Sequence, residues 1–397
     1  MLDLLSAEAR RDPYPLYERV RGASPVLHDP RTGTWMLFDY DSVKRALNDH
    51  DAFSSVVSPP GSRTARWLLF SDPPRHTRLR ALVTRAFTPR AVAALEPRIR
   101  EITGGLLDRV VERGEMELVA DFSVPLPLMV IAEMLGAPVE DWPRFRRWSD
   151  AVMGLIHTVS GSPEAERAVS AFAAVHAEME GYLAVLLEER RTAPREDLLS
   201  RLVEAEVDGE RLDDEDLLGF FQLLLLAGHE TTTNLIGNAV LSLVENPDQL
   251  ARLRDTPGLV PSAVEEVLRH RSPVQAMFRV TRHEVELRGQ TIPTGRLVLA
   301  MIGSANRDPA RFPDPNRFDV ARDPNPHVAF GHGIHFCIGA PLARLEARVA
   351  LPALMETLAE LEPAGDAPWE PRQAFHVHGP ERLPLRFARR ERTPTHT

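Results

Sequence analysis

The chain is short of thiols, of net positive charge, of lysine and of long apolar runs. Cys337 is the only cysteine among 397 residues, which excludes an internal disulfide and a paired-thiol redox motif. Acidic residues outnumber basic ones, 57 to 47, for a formal charge of −10. That balance argues against a nucleic-acid binder, which carries a basic patch or stripe. Lys44 is the sole lysine, so arginine supplies the rest of the positive charge. No apolar segment approaches the ~20 residues needed to span a bilayer. The start, Met1-Leu2-Asp3-Leu4-Leu5, has neither the basic flank nor the apolar core of a secretory signal. These absences predict a soluble, cytoplasmic protein with no membrane anchor and no nucleic-acid partner. Internal repeats and low-complexity tracts are also missing.

What is present reads as mainly helical. Residues 13–50 predict a short helix, a hairpin containing the apolar run Trp35-Met36-Leu37-Phe38, and a second helix. Residues 54–66 are rich in Ser, Pro and Gly, as befits a loop forming a pocket wall. From 91 to 205 the pattern is helical throughout, with breaks near Gly114, Pro125, Pro138 and Pro143. Its least regular part, 153–172, holds Gly161 and Pro163. A capping signal at Asp213–Asp216 opens one long helix that runs to Asn246-Pro247, about thirty residues and ~45 Å. Strands are expected around Gln290–Pro293 and Arg296–Ile302. A closing hairpin is expected to pair Phe375–Val377 with Leu383–Phe387 around Gly379-Pro380. Length alone suggests two or three domains, although large single domains escape that rule.

Four stretches carry chemistry. The first is Phe330-Gly331-His332-Gly333-Ile334-His335-Phe336-Cys337-Ile338-Gly339-Ala340-Pro341. Pro341 suits the first turn of the helix that follows. A thiol at such a place faces a helix N-terminus, where partial positive charge favours the thiolate, a candidate metal ligand. An isolated cysteine is also compatible with a buried apolar role. In the second stretch, His76 and Arg80 stand at i and i+4 on one helix face after Asp72-Pro73-Pro74. Two such donors can clamp an anion, and the same spacing suits a solvated basic face. The third, Ala227-Gly228-His229-Glu230-Thr231-Thr232-Thr233, places an acid and hydroxyls inside an apolar helix. Threonine there can bend the helix or serve as small polar packing. The fourth is Glu266 and Arg269, at i and i+3.

Together these stretches resemble the cytochrome P450 family, specifically its soluble bacterial members and the subfamilies that act on macrolides and related natural products. Phe330, Gly333, His335, Cys337 and Gly339 match F-x-x-G-x-H-x-C-x-G, and agreeing segments run from about residue 12 to 387. The resemblance implies one mainly α domain over 1–397, with roughly a dozen helices and small β-sheets to one side. It implies haem b (iron protoporphyrin IX), ligated by Cys337 and lined by Ala227, Gly228, Phe330, Gly331 and Gly339. His76, Arg80, Arg279 and His335 would hold the propionates, and Ser272–Arg279 resembles the family's strand beside the haem edge. Glu230 and Thr231 would deliver protons to dioxygen, and Glu266–Arg269 would be a buried structural pair. Leu224, Ala227, Val274, Met277 and Phe375 would line a hydrophobic substrate pocket.

The implied reaction is hydroxylation or epoxidation of a hydrophobic small molecule by a monomer. NAD(P)H-derived electrons would arrive through an external ferredoxin and ferredoxin reductase. Arg75, Arg78, Arg85, Arg344 and Arg348 are the candidate docking charges for the ferredoxin. Two other readings stand beside this one. A peroxide-driven haem-thiolate enzyme usually replaces the acid-alcohol pair, which is intact here. A non-catalytic metal-binding protein could use His327, His332, His335 and Cys337, a run that lacks the paired spacing of structural zinc sites.

Overall fold

A computed structural model describes residues 4–58, 61–155, 165–365 and 367–389. The chain is mainly helical, with small sheets, as the resemblance implied. Its contacts divide into two compact units. The first comprises Met1–Val57, Glu96–Leu126 and Thr231–Thr397; the second comprises Ser58–Leu95 and Pro127–Glu230. Gly161 and Pro163, in the irregular stretch, lie outside the described residues.

Every strand found among the described residues falls in the first unit. Strands β1 (Val26–Asp29), β2 (Thr34–Leu37), β3 (Phe53–Ser54), β4 (Met277–Thr281) and β5 (Leu297–Ala300) form a sheet in the order β1-β2-β5-β4-β3. The β1–β2 hairpin is the predicted one, with Leu27 opposite Met36 and His28 opposite Trp35. One side of the sheet packs on the Tyr40–Asn48 helix through Leu37, Val43, Leu47, Val298 and Ala300. Asp39 caps that helix, accepting from the Ser42 N–H at 3.1 Å. A second core, with Leu235, Ala239, Val264, Val267, Ala347 and Leu351, joins the helices Glu230–Glu245, Val260–His270 and Ala340–Thr357.

The predicted closing hairpin does not form. Leu383–Phe387 falls mostly in strand Pro384–Arg389, which pairs with Leu358–Pro363 on one side and Glu115–Glu117 on the other. Phe375–Val377 contributes only a bridge between Val377 and Val274. Both flanks find other partners: Pro380–Arg382 pairs with Glu370–Pro371, as Pro384–Arg389 does with its own two neighbours. The intervening turn is held instead by Asn238, whose side-chain amide donates to the His378 carbonyl at 2.9 Å. Within the expected helical stretch 91–205, Glu115–Glu117 is a strand and Val119–Ser123 is a single widened turn with i→i+5 geometry.

The second unit is helical in all its described regular elements. Its centre is aromatic: Phe145, Trp148, Tyr182 and Phe221 meet edge to face, except that Phe145 and Trp148 are tilted at 39°, with ring centroids 5.2–6.1 Å apart. Such offset contacts add stabilisation beyond their buried area. The Arg144 guanidinium lies 4.8 Å from the Tyr182 ring centroid and 5.2 Å from that of Trp148.

Candidate functional site

In the first unit the cysteine loop is built on backbone geometry that glycine permits. Gly331 and Gly333 have φ of +76° and +71°. A Cβ on Gly333 would stand 3.0 Å from the Asn48 Cα and 3.3 Å from the Leu47 carbonyl oxygen, so both the dihedral and the space require glycine. The loop then makes a short 3-10 turn over Gly333–His335. It is pinned where the Cys337 N–H donates to the Phe330 carbonyl at 2.9 Å. Gly339 is the N-cap of the Ala340–Thr357 helix, and Pro341 sits in its first turn. Cys337 therefore lies beside that helix N-terminus, half-buried, with Phe336 exposed next to it.

The residue seven before the thiol is held through a relay. The Arg344 guanidinium lies 4.5 Å from the Phe330 ring centroid and donates twice to Glu265, both at 2.7 Å. Glu265 also faces His327 Nε2 at 3.0 Å. Burial pushes the Glu265 carboxyl up, but the bonds from Arg344 and His327 more than offset it and hold it down at about 2. A depressed folded-state value means that the stabilisation is present above the ordinary carboxyl value of about 4.5 and lost as pH falls toward about 2. Acid unfolding of Glu265→Gln is accordingly expected to show a shallower loss of stability across that window than the parent, measured by urea melts at successive pH values.

On the same helix, Glu266 and Arg269 form the anticipated pair, fully buried, with two bonds of 2.8 Å. Arg269 also donates to the carbonyls of Asn306, Pro315 and Arg317. This ties the irregular segment ahead of the cysteine loop to the Val260–His270 helix. Within the same unit Arg279 is buried on β4, donating to its neighbour's carbonyl on Phe278 at 2.8 Å. His335, Thr231, Val274, Met277 and Phe375 are half-buried. Glu346, on the helix after the thiol, is buried, and burial pushes its carboxyl well above the usual range.

The long helix differs from the expected single rod. It runs Asp214–Leu224, widens to an i→i+5 turn at Leu225–His229, and resumes at Glu230–Glu245. Turns of this kind are rare and concentrate at functional sites. The start is capped as predicted, Asp213 accepting from the Asp216 N–H at 2.6 Å. Ser149 meets the widened turn, its hydroxyl 2.9 Å from His229 Nδ1 and 3.4 Å from the Leu225 carbonyl. Beyond the turn, the Thr233 hydroxyl donates to the Ser123 carbonyl at 2.9 Å, at the end of the other widened turn. The third threonine thus has a packing role.

In the second unit, Ala227 is exposed in the middle of this apolar helix, Leu224 is half-buried and Glu230 is buried. The side chain missing at Gly228 would stand 3.1 Å from the Ile131 methyl, so its space serves close packing against the Pro125–Met134 helix. His76 and Arg80 sit on the Arg75–Ala86 helix, His76 buried and Arg80 half-buried. The four expected anion-clamp residues are therefore divided, His76 and Arg80 in the second unit, Arg279 and His335 in the first.

Sequence reasoning missed a polar relay in the second unit. The Trp67 indole N–H donates to Gln222 Oε1 at 3.1 Å, and Gln222 Nε2 lies 2.7 Å from His176 Nδ1. Indole can only donate, so it fixes which way the amide points, and His176 must accept at Nδ1 and carry its proton on Nε2. Burial, with Arg63 adding to it, lowers the His176 value and favours the neutral ring. The available signal was a glutamine inside an otherwise apolar helical run. Of the candidate docking charges, Arg75 and Arg78 bond to Asp216, Arg85 to the Glu206 carbonyl and Arg344 to Glu265. Arg348 is exposed. No helix among the described residues is long and apolar enough to cross a membrane.

A family model described as Cytochrome P450 matches residues 17–256 and 258–380. The chain is 43% identical over 408 residues to the cytochrome P450 monooxygenase PikC of Streptomyces venezuelae, an alignment spanning 98% of this chain and 95% of that protein. It is 42% identical over 375 residues to the cyclomarin C epoxidase CymV of Salinispora arenicola, spanning 93% and 94%. Among solved structures, cytochrome P450 CYP109Q5 from Chondromyces apiculatus superposes with a TM-score of 0.89 at 43% identity, covering 98% of each chain.

Proposed function

The chain belongs to the cytochrome P450 family, and on that premise we propose a haem-thiolate monooxygenase, one functional domain over 1–397, with Cys337 as the residue that would hold the iron of haem b. The observation that carries the reading is the Cys337 loop. It presents a lone thiol beside a helix N-terminus, on a backbone that requires glycine at Gly333. The donor chemistry fits. A single soft sulfur suits iron in haem, whereas structural zinc calls for several Cys or His ligands. His327, which a zinc cluster would need, is engaged with Glu265.

When bound, haem supplies the oxygen-activating chemistry, and a thiolate ligand favours O–O cleavage. The chain's own residues bind and orient. His76, Arg80, Arg279 and His335 are the cationic donors for two propionates. Phe330, Gly331 and Gly339 shape the surface around the sulfur, and Ala227 with Gly228 would line the haem from the long helix. Glu230 is the proton reservoir and the Thr231 hydroxyl the carrier, beside a turn whose widening leaves backbone groups out of the regular ladder. Leu224, Ala227, Val274, Met277 and Phe375 give a mostly apolar substrate wall, suited to a hydrophobic small molecule that is hydroxylated or epoxidised. CymV, an epoxidase of cyclomarin C that is similar over most of its length, supports epoxidation as one outcome. Two electrons per turnover come from NAD(P)H through an external ferredoxin and its reductase. Arg75, Arg78, Arg85, Arg344 and Arg348 are the ferredoxin's candidate docking charges, of which Arg78, Arg85 and Arg348 are exposed.

The intact Glu230–Thr231 pair favours this reading over a peroxide-driven one. The test is turnover with NADH, ferredoxin and ferredoxin reductase against turnover with hydrogen peroxide, in parent and Thr231→Ala. The parent is expected to require the reductase system. Thr231→Ala is expected to divert most consumed oxygen to peroxide, a change of about tenfold or more in product per oxygen. Unchanged coupling, or turnover with peroxide alone at the same rate, would favour the peroxide-driven enzyme.

A further inference from the structure

The helix bearing His76 and Arg80 begins without the usual supports. No side chain caps the start of Arg75–Ala86, and no acidic residue stands in its first turn. Arg75, His76, Arg78 and Arg80 crowd that end instead. Cations at a helix N-terminus oppose the dipole of the helix itself. At about 100° per residue, Arg75 and Arg78 face roughly 150° away from His76 and Arg80. The helix therefore has a front for an anion and a back that needs a counter-charge.

Asp216 supplies it. This carboxylate is buried near the start of the Asp214–Leu224 helix. Its Oδ1 accepts from Arg75 Nη2 at 2.7 Å and Arg66 Nη2 at 3.1 Å, and its Oδ2 from Arg78 Nη2 at 3.3 Å. Arg75 also donates to the Arg66 carbonyl at 3.2 Å. Arg66 reaches Asp213 and Glu215, and Arg78 reaches exposed Glu210 at 3.4 Å. Among these acids only Asp216 is buried, and only it takes all three guanidiniums.

We propose that Asp216 is a positioning residue for the propionate clamp, an inference that rests on the haem reading above. It neutralises the back of the helix and fixes its first turn through Arg75, so that His76 and Arg80 are held in place as a donor pair. It touches no ligand itself. The consequence concerns how tightly haem is retained, over and above how stably the chain folds.

The test follows haem transfer from the holoprotein to excess apomyoglobin, alongside thermal melting of the haem-free protein. Asp216→Asn and Arg75→Gln are each expected to release haem about tenfold faster than the parent, with Asp216→Glu close to the parent. Combining Asp216→Asn with Arg75→Gln is expected to add little, because both remove one link. Arg75→Gln, at a partly exposed position, keeps the test open should Asp216→Asn fail to fold. Haem release at the parental rate in Arg75→Gln, with or without lower melting of the haem-free protein, overturns the proposal and leaves Asp216 a purely structural node. A parent that takes up no haem at all overturns the haem reading, and this proposal with it.

Discussion

Cys337→Ser is expected to abolish the carbon-monoxide absorption band for which the family is named, while the protein still folds and still takes up haem. Serine keeps the shape of the loop, whose anchor is the backbone bond from residue 337 to the Phe330 carbonyl. It loses the anion. A helix N-terminus brings a thiol within reach of the thiolate at neutral pH, but a hydroxyl ionises far too weakly for the same help to suffice. On the proposed reading, haem uptake draws on the propionate donors as well as on the sulfur, so retention and spectrum should separate. Stability of the haem-free chain is expected to stay within about 0.5 kcal/mol of the parent, since residue 337 is half-buried and serine is close to cysteine in size. The measurement is the reduced carbon-monoxide difference spectrum beside a urea melt of the haem-free protein. A Cys337→Ser protein that kept the band would show that the ligand is another residue.

The second large effect is structural. Glu266→Ala is expected to cost about 3–5 kcal/mol, because a guanidinium would remain buried without its counter-charge. Domain stabilities are commonly about 5–15 kcal/mol, so this is a loss of a third or more in many cases. Glu266 is a hub as well as one half of a pair. It also accepts from the Asp319 N–H at 3.0 Å, Arg322 Nε at 3.1 Å and Asn325 Nδ2 at 3.3 Å. Glu266→Gln keeps part of the hydrogen bonding and removes the charge, so it should fall between Ala and the parent. The check is equilibrium urea unfolding of the haem-free protein. A change below about 1 kcal/mol in Glu266→Ala would mean that the segments around 306–325 are held by other means.

What could be read in the sequence was what is local. The cysteine loop, its glycines and the helix after it occupy one short run, and Glu266–Arg269 meet because helix geometry alone brings i and i+3 together. Misreadings arose where a distant partner decides. Nothing in Leu225–His229 announces a widened turn; its neighbour Ser149 is far away in the chain. Arg75 and Arg78 have the spacing of a solvated basic face, and only the fold reveals that they are committed to Asp216. The closing hairpin failed for the same reason, since strand Pro384–Arg389 finds its partners at Leu358–Pro363 and Glu115–Glu117. Gln222 was visible as a polar residue in an apolar run, but its value as a link from Trp67 to His176 required three segments at once.

The division into two units also sets an order on synthesis. Each unit is discontinuous, and the two interleave along the chain. Every segment of the second unit has left the ribosome once Glu230 has emerged, so its aromatic core can assemble on a nascent chain. The first unit must wait, because its central sheet needs β4 and β5 beside strands made near the beginning. Until those arrive, the β1–β2 hairpin is an open edge looking for a neighbour, the kind of surface that invites mispairing. The thiol appears later still, after both of those strands. With Cys337 as the proposed ligand, prosthetic-group capture is a late event, made by a chain whose second unit can already be folded.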